Sequence, residues 1–367
     1  MQDKFLIDHH KLMFHPERVA QWRAAGNDWE KQKRVYPIYV EISPSGSCNH
    51  RCRFCAVDYI GYKPIFLGEE VLKTTLRDMA ANGVRSVMFA GEGEPLLMKG
   101  LGACINYAKS LGIDSAITTN ATPLTEKFLE EALASVSWIK ASVNAGEGEA
   151  YAAIHGTKAA DFERVMGNLE RAARYRREHK LRTALGAQAV LIPENVDNVE
   201  ALCARAKQIG LDYVVVKPYS QHLKSEETLA RGYDSFDYST QGALAEKLER
   251  FNDGKFQVIF RWNTMKSLQE PRRYYDRCLA TPSFWAYVMA NGDVYGCSAY
   301  LLDERFRYGN LKQASFPEIW EGEARRRNLD YVRNELDIQD CRKNCRMEHV
   351  NRYLWDLENP NEHVNFI

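Results

Sequence analysis

The run Cys48-Asn49-His50-Arg51-Cys52-Arg53-Phe54-Cys55 sets the tightest constraint on this chain. Its spacing is C-x3-C-x2-C, and it follows an extended apolar segment, Pro37–Ile42, so the three thiols belong to a loop at the end of a strand. Three thiolates this close cannot all pair as disulfides. They can ligate three irons of a cubane cluster and leave the fourth iron open to a small chelating ligand. A zinc site lacking one ligand and three unrelated core thiols are the alternatives that spacing alone leaves.

Four more cysteines form a second group, Cys278-x13-Gly292-x4-Cys297 followed by Cys341-x3-Cys345. Asn291-Gly292 is a hairpin-turn signal between Phe284–Met289 and Val294–Ser298, and a hairpin draws Cys278 and Cys297 together. The later pair follows a helix pattern, Phe316–Arg327. Four thiolates fully ligate one 4Fe–4S cluster, and a structural zinc takes the same set. Cys104 and Cys203 lie in amphipathic helix patterns and read as buried structural thiols. With no apolar segment of export-signal type behind Met1-Gln2-Asp3-Lys4, the expected setting is the reducing cytoplasm, where clustered cysteines mean metal or catalysis.

The 367 residues suffice for one large domain and a smaller one. Lys+Arg and Asp+Glu are both 49, which removes any global electrostatic argument for nucleic acid or an anionic membrane, and no apolar run approaches the length of a membrane span. From Pro37 the pattern alternates. Strand candidates are Tyr39–Ile42, Ser86–Ala90, Ser115–Thr119, Trp138–Val143, Leu185–Leu191 and Tyr213–Lys217. Helical patterns lie between them at 69–82, 98–111, 125–135, 160–178 and 197–209, with Thr125 as an N-cap and Gly83, Gly112 and Gly210 as stops. This alternation predicts an α/β chain with a parallel sheet, and six strands are too few for a full eight-stranded barrel. Upstream, Pro16–Ala25 reads as a short helix, and His9, His10 and His15 as surface or lid histidines. Downstream, Thr240–Phe251 reads as helical and Phe256–Trp262 as strand-like; the apolar C-terminal residues 363–367 are expected to dock.

The cysteine run, with Phe54 before its third thiol, resembles the radical S-adenosylmethionine (SAM) superfamily. After the second strand comes Gly91-Glu92-Gly93-Glu94-Pro95, similar to the glycine-rich loop that contacts the SAM amino group in that family. Thr119 and Asn120 end the third strand, Ser142 and Asn144 the fourth, and Gln188 lies in the fifth; the resemblance implies that polar residues here hold the SAM ribose and carboxylate. It also implies a partial (β/α)6 TIM barrel, open on one side. The second cysteine group resembles the Twitch domain, the short form of the SPASM domain, and implies an auxiliary cluster held by Cys278, Cys297, Cys341 and Cys345. The expected organisation is an N-terminal arm over 1–36, a radical SAM core over 37–220, a connecting segment over 221–277, and a small C-terminal auxiliary-cluster domain with tail over 278–367.

Expected cofactors are two 4Fe–4S clusters, the first on Cys48, Cys52 and Cys55, and SAM. The Cys278-to-Cys345 spacing resembles 2-deoxy-scyllo-inosamine dehydrogenase-type proteins. That implies an oxidoreductase that takes hydrogen from a small hydroxylated substrate, a cyclitol, sugar or nucleotide-sugar, with the auxiliary cluster accepting an electron. A peptide maturase and a radical epimerase are the other readings. A flavodoxin or ferredoxin-type protein is the implied electron donor. Lys217, Tyr219, His222, Arg261, Trp262, Arg272, Arg273, Tyr274 and Tyr275 fit a phosphorylated or sugar substrate, with a solvated basic surface as the alternative for the arginines; Tyr59, Tyr62 and Lys63 are candidates for the pocket wall.

Overall fold

The computed structural model describes residues 3–366. Its strands are β1 (Tyr39–Ile42), β2 (Ser86–Phe89), β3 (Asp114–Thr119), β4 (Val136–Ser142), β5 (Ala184–Leu191), β6 (Tyr213–Pro218), β7 (Gln257–Phe260), β8 (Trp285–Val288), β9 (Asp293–Tyr295) and β10 (Arg307–Asn310). They form one sheet in the order β10-β9-β8-β1-β2-β3-β4-β5-β6-β7. From β1 to β7 every pairing is parallel, so the expected partial barrel is present and gains β7 as a further strand. Among the described residues no ladder joins β7 to β10, and the barrel stays open.

Each strand turns one face to the helices and one to the barrel interior, as period-2 geometry requires. In β4, Ile139 and Ala141 are fully buried in the helix-facing core, while Trp138, Lys140 and Ser142 face inward and keep part of their surface. The outer layer includes the helices Glu69–Ala81, Leu101–Ser110, Glu126–Ala132, Ala160–Glu178 and Val199–Ile209. Thr125 caps as expected, its Oγ1 accepting from Phe128 N at 3.3 Å. Gly83, Gly112 and Gly210 all take positive φ where a helix ends. Cys104 and Cys203 are fully buried.

Several boundaries differ from expectation for local reasons. The helix expected from 98 starts at Leu101, because Gly100 is left-handed (φ 80°) behind a short 3-10 turn, Pro95–Leu97. The helix expected over 316–327 divides into Phe316–Trp320, opened by a Ser315/Glu318 capping box and ended at Glu321, and Glu323–Asn334. Trp262 opens a helix, Trp262–Gln269, rather than closing a strand: the Asp8 carboxylate accepts from Asn263 N at 2.9 Å and from Thr264 Oγ1 at 2.8 Å. This cap comes from more than two hundred residues away and is invisible to local pattern.

The N-terminal arm seals the barrel. Phe5 and Ile7 pack against Tyr213, Val215 and Ile259 on the inner faces of β6 and β7. His10 stacks on Tyr353 of the helix Glu348–Glu358, at 4.7 Å between ring centroids. At the other side the hairpin β8–β9 continues the sheet: β8 pairs parallel to β1 in the register Tyr39↔Trp285 to Ile42↔Val288. Gly292 supplies the positive φ of the hairpin turn. The C-terminal tail does not dock as expected: Phe366 is 83% exposed, and Ile367 lies outside the described residues. Among the described residues no helix is long and apolar enough to cross a membrane.

Candidate active site

The cysteine loop runs from the end of β1 across the C-terminal ends of the barrel strands. It is fastened by main-chain bonds: Arg51 N donates to His155 O at 3.0 Å and Arg53 N to Ile154 O at 2.9 Å. Both acceptors end the helix Gly148–His155. Gly156 follows with φ 57°, and a Cβ there would lie 2.2 Å from Arg51 O. The thiols of Cys48, Cys52 and Cys55 converge: Cys48 feels the charge of Cys55, and Cys52 that of both others. Burial comes first in pushing all three pKa values up, with neighbouring thiolates adding to it at Cys48 and Cys52 and Asp58 at Cys55; Cys48 reaches about 11. A convergent set of partly buried thiols, with only Arg51 as a neighbouring cation at Cys48 and Cys55, fits a metal cluster, which deprotonates its ligands.

Around them, Phe54 meets the His155 ring edge-on at 5.4 Å, and His155 Nδ1 lies 3.2 Å from Cys52 Sγ. The other nitrogen of His155 lies 2.7 Å from Val143 O, and burial drives its pKa down to about 3, so the ring is neutral. Nothing in the sequence pattern had singled out His155; the signal was Tyr151 and His155 four apart on one buried helix face, where the rings stack at 4.2 Å.

The glycine-rich loop is pressed against the cysteine loop. A Cβ on Gly93 would lie 2.2 Å from Ser45 O and 2.5 Å from Ser47 O; one on Gly91 would meet Ser43 Cβ at 2.4 Å. These glycines therefore serve close loop-on-loop packing. Glu94 is buried: Oε1 accepts from Thr119 Oγ1 at 2.6 Å and Leu96 N at 3.0 Å, and Oε2 from Asn120 N at 2.7 Å. Burial pushes its pKa up to about 7 against the pull of those bonds. Glu92 turns the other way, accepting from Ala290 N at 2.9 Å and Tyr287 OH at 3.1 Å, and so ties this loop to the hairpin. Asn120 reaches the cysteine loop, its Nδ2 donating to Asn49 Oδ1 at 2.7 Å. Asn144 is fully buried with φ 59°, holding Val190 N at 2.7 Å and meeting His155 Nε2 at 3.1 Å. Gln188 donates to Ser142 Oγ at 2.9 Å, while its Oε1 is buried with no protein partner. Glu94, Thr119 and Asn144 thus lock strand ends together, and Ser142 and Gln188 present unused polar capacity to the interior.

The second group of thiols, Cys278, Cys297, Cys341 and Cys345, also converges: burial raises all four, and Cys297 feels each of the other three. Donors surround them. Asn351 Nδ2 lies 3.5 Å from Cys278 Sγ, Thr281 also bonds to Cys278, and Tyr300 bonds to Cys341. Arg273 donates to the Cys341 carbonyl and lies 3.7 Å from Glu348, so it is internal rather than a substrate ligand. Arg261 is held by Asp8 at 3.2 Å, Tyr275 is buried, and Arg272 and Tyr274 are exposed. Tyr59 stacks on His222 at 5.0 Å, and His222 lies 3.3 Å from Ser298 O, bridging the two cysteine sites.

Residues 42–206 match the radical SAM superfamily, and residues 278–346 match SPASM, an iron–sulfur cluster-binding domain. The chain is 38% identical over 107 residues to an S-adenosylmethionine-dependent nucleotide dehydratase of Lacinutrix mariniflava, covering 28% of this chain and 22% of that protein. It is 32% identical over 167 residues to the dTDP-4-amino-4,6-dideoxy-D-glucose ammonia-lyase of Streptomyces venezuelae, covering 44% of this chain and 34% of that protein. The matched segments thus span well under two thirds of either relative. Its fold is similar to that of Streptococcus suis SuiB bound to precursor peptide SuiA, with a TM-score of 0.59 and 19% identity over 85% of this chain and 69% of that one. Both cysteine sites fall inside the matched regions, which sets the zinc alternatives aside. The chain carries a radical SAM domain over residues 42–206 and a SPASM domain over residues 278–346, and its cofactors are SAM and two 4Fe–4S clusters.

Proposed function

We propose that this protein is a radical SAM oxidoreductase acting on a small hydroxylated substrate: a cyclitol, sugar or nucleotide-sugar. When bound, SAM on the first cluster supplies a 5′-deoxyadenosyl radical, and the second cluster supplies an electron sink. The substrate's carbinol carbon gives up a hydrogen atom, its hydroxyl a proton, and the remaining electron leaves with the ketone formed. The second cysteine site carries this reading. Four protein thiols complete its ligand set and leave no position for substrate, and Asn351, Thr281 and Tyr300 donate to its sulfurs. Donors at cluster sulfurs favour the more negative, reduced state, which suits an electron acceptor.

The residues at the strand ends hold and orient. The main chain of Gly91–Gly93, with Ser142, Gln188 and Asn120, is the proposed cradle for SAM, and Phe54 shields the cluster loop. Glu94 and Asn144 act through these groups by fixing the strand ends. A flavodoxin or ferredoxin-type donor and a cytoplasmic setting complete the reading. The names of the relatives, a nucleotide dehydratase and a dTDP-sugar ammonia-lyase, support a nucleotide-linked substrate. They also favour a second reaction on that class, radical elimination of water or amine.

Replacing Cys341 and Cys345 by Ala should leave about four irons, with SAM cleavage continuing and ketone formation lost. Deuterium on the carbinol carbon should appear in 5′-deoxyadenosine. Loss of water or amine that persists without the second cluster would establish the elimination, and solvent deuterium in an inverted product an epimerase.

A further inference from the structure

The inner faces of the strands are not packed throughout and border an accessible chamber. Trp138, Lys140, Ser142 and Lys217 keep part of their surface although protein surrounds them, and Arg346 keeps 44% of its side-chain surface in the same position. Met88, Ala90, Ala116, Tyr39 and Trp138 make one apolar wall, and the arm residues Phe5 and Ile7 close the floor near Tyr213 and Val215. Above this floor the chamber is cationic. Lys217 feels the charges of Lys140, Arg261, Arg346 and Arg342.

Two of these cations have carboxylate partners. Arg346 meets Glu41 at 3.0 Å and Arg261 meets Asp8 at 3.2 Å. Among the described residues, Lys140 and Lys217 make no ion pair or side-chain hydrogen bond, and Lys140 has only the Trp138 ring beneath it, at 5.2 Å. Arg342 uses its Nε on Ser220 Oγ at 2.8 Å and has no ion pair among the described residues. Lys140 stands in β4 opposite Gly186 of β5, one inward position below the Ser142–Gln188 pair; Lys217 stands opposite Val190. Unpaired lysines held together away from bulk water repel each other, and burial with those neighbours lowers both pKa values, to about 7 for Lys140. Such an arrangement is costly without an anion and complementary to one with two adjacent negative groups.

We propose that Lys140 and Lys217, with Arg342, form a diphosphate-binding site inside the barrel, so that the substrate is a nucleoside-diphosphate-linked molecule. This rests on the proposed oxidoreductase of a small hydroxylated substrate, and it deepens that reading by naming the group that anchors the substrate. An aminocyclitol would bring an ammonium group into a chamber already in cationic excess. The Trp138 and Tyr39 wall offers apolar contact beside the anion site.

The test is calorimetric binding of inorganic pyrophosphate and of uridine diphosphate to the cluster-loaded protein with SAM present. Both should bind, and Lys140→Met and Lys217→Met should each weaken them by at least about 30-fold. Lys140→Arg should weaken them less. Iron content and SAM affinity, measured on the same variants, should be unchanged. No pyrophosphate binding by the wild type, or equal binding by the Lys140→Met/Lys217→Met double variant, overturns the proposal. So does loss of SAM affinity in the variants, which would assign the lysines to the SAM carboxylate. Oxidation of a cyclitol that pyrophosphate does not inhibit would overturn the diphosphate site and leave the oxidoreductase reading standing.

Discussion

Lys140 shows how a single side chain can act against the fold that carries it. It lies in the inner face of β4 among Lys217, Arg261, Arg346 and Lys11, with Glu41 as the facing carboxylate, and its pKa falls to about 7. Below that pH both the folded and the unfolded chain hold the proton, and the full burial cost falls on the folded state. As pH rises above about 7 the folded-state lysine releases its proton while the unfolded one keeps it, and the cost shrinks. Lys140→Met should therefore raise the melting temperature at pH 6 and do so less at pH 9. A gain that is equal at both pH values would show that Lys140 is not charged against its surroundings. Glu92 makes the opposite case, a charged residue whose removal should hurt. Glu92→Ala leaves Ala290 N–H and Tyr287 OH buried without their acceptor, at a cost of about 2–4 kcal/mol in urea unfolding. Glu92→Gln keeps an oxygen for Ala290 and should recover most of it. If both variants match the wild type, the tie between glycine-rich loop and hairpin is dispensable.

At the scale of elements, the two loops over the barrel mouth form one packed unit. Gly93→Ala would drive a Cβ into the Ser45 and Ser47 carbonyls, which are main-chain atoms with little room to move. The variant should lose the first cluster and keep about four irons on the second, with no SAM cleavage; a full iron load with normal cleavage would show that the loops can separate. The core strands and helices were legible because period-2 and helical patterns, together with glycine stops, are local signals, and 160–178 is matched to the residue by the helix Ala160–Glu178. Both cysteine sites were legible because ligand spacing is itself local. The roles inside the site were less so. Glu94 and Asn144 sit at the expected strand ends, yet each is bound up by partners distant in sequence. Lys140 was readable as a charge set in the apolar run Trp138-Ile139-Lys140-Ala141. Neither the Asp8 cap of Trp262–Gln269 nor the pairing of β8 with β1 has any signature in its own segment.

For the whole molecule, Arg325 joins the two ends of the chain. It is fully buried, and among the described residues its guanidinium makes no ion pair but fans out to main-chain carbonyls. Nε donates to Pro282 O and Nη1 to Trp320 O, each at 3.0 Å, and Nη2 reaches Val35 O and Gln32 O, each at 3.3 Å. Gln32 O lies at the C-terminal end of the short helix Trp29–Gln32, where carbonyls lack intrahelical partners and carry partial negative charge, and Val35 O lies three residues beyond it. The ring of Trp320 lies 4.0 Å below the guanidinium, and Trp320 Nε1 adds a bond to Val35 O at 3.0 Å. One planar fork thus serves the arm, the hairpin entry and the helix Phe316–Trp320 at once. Burial pulls its pKa down to about 10, so it stays charged at neutral pH. Arg325→Leu removes the charge and takes their donor from the Pro282 and Trp320 carbonyls, while Val35 O keeps Trp320 Nε1 and Gln32 O keeps Val35 N; it should cost about 2–4 kcal/mol. Arg325→Lys keeps the charge, yet a point donor cannot span acceptors on three segments, so it should recover only part of the loss. Urea unfolding of the cluster-loaded protein, followed by tryptophan fluorescence, measures both. Were Arg325→Lys to match the wild type, charge alone would hold the arm to the C-terminal region; were Arg325→Leu to match it, the carbonyls would have found water, and the arm would owe its place to Val35, Trp22 and their apolar neighbours.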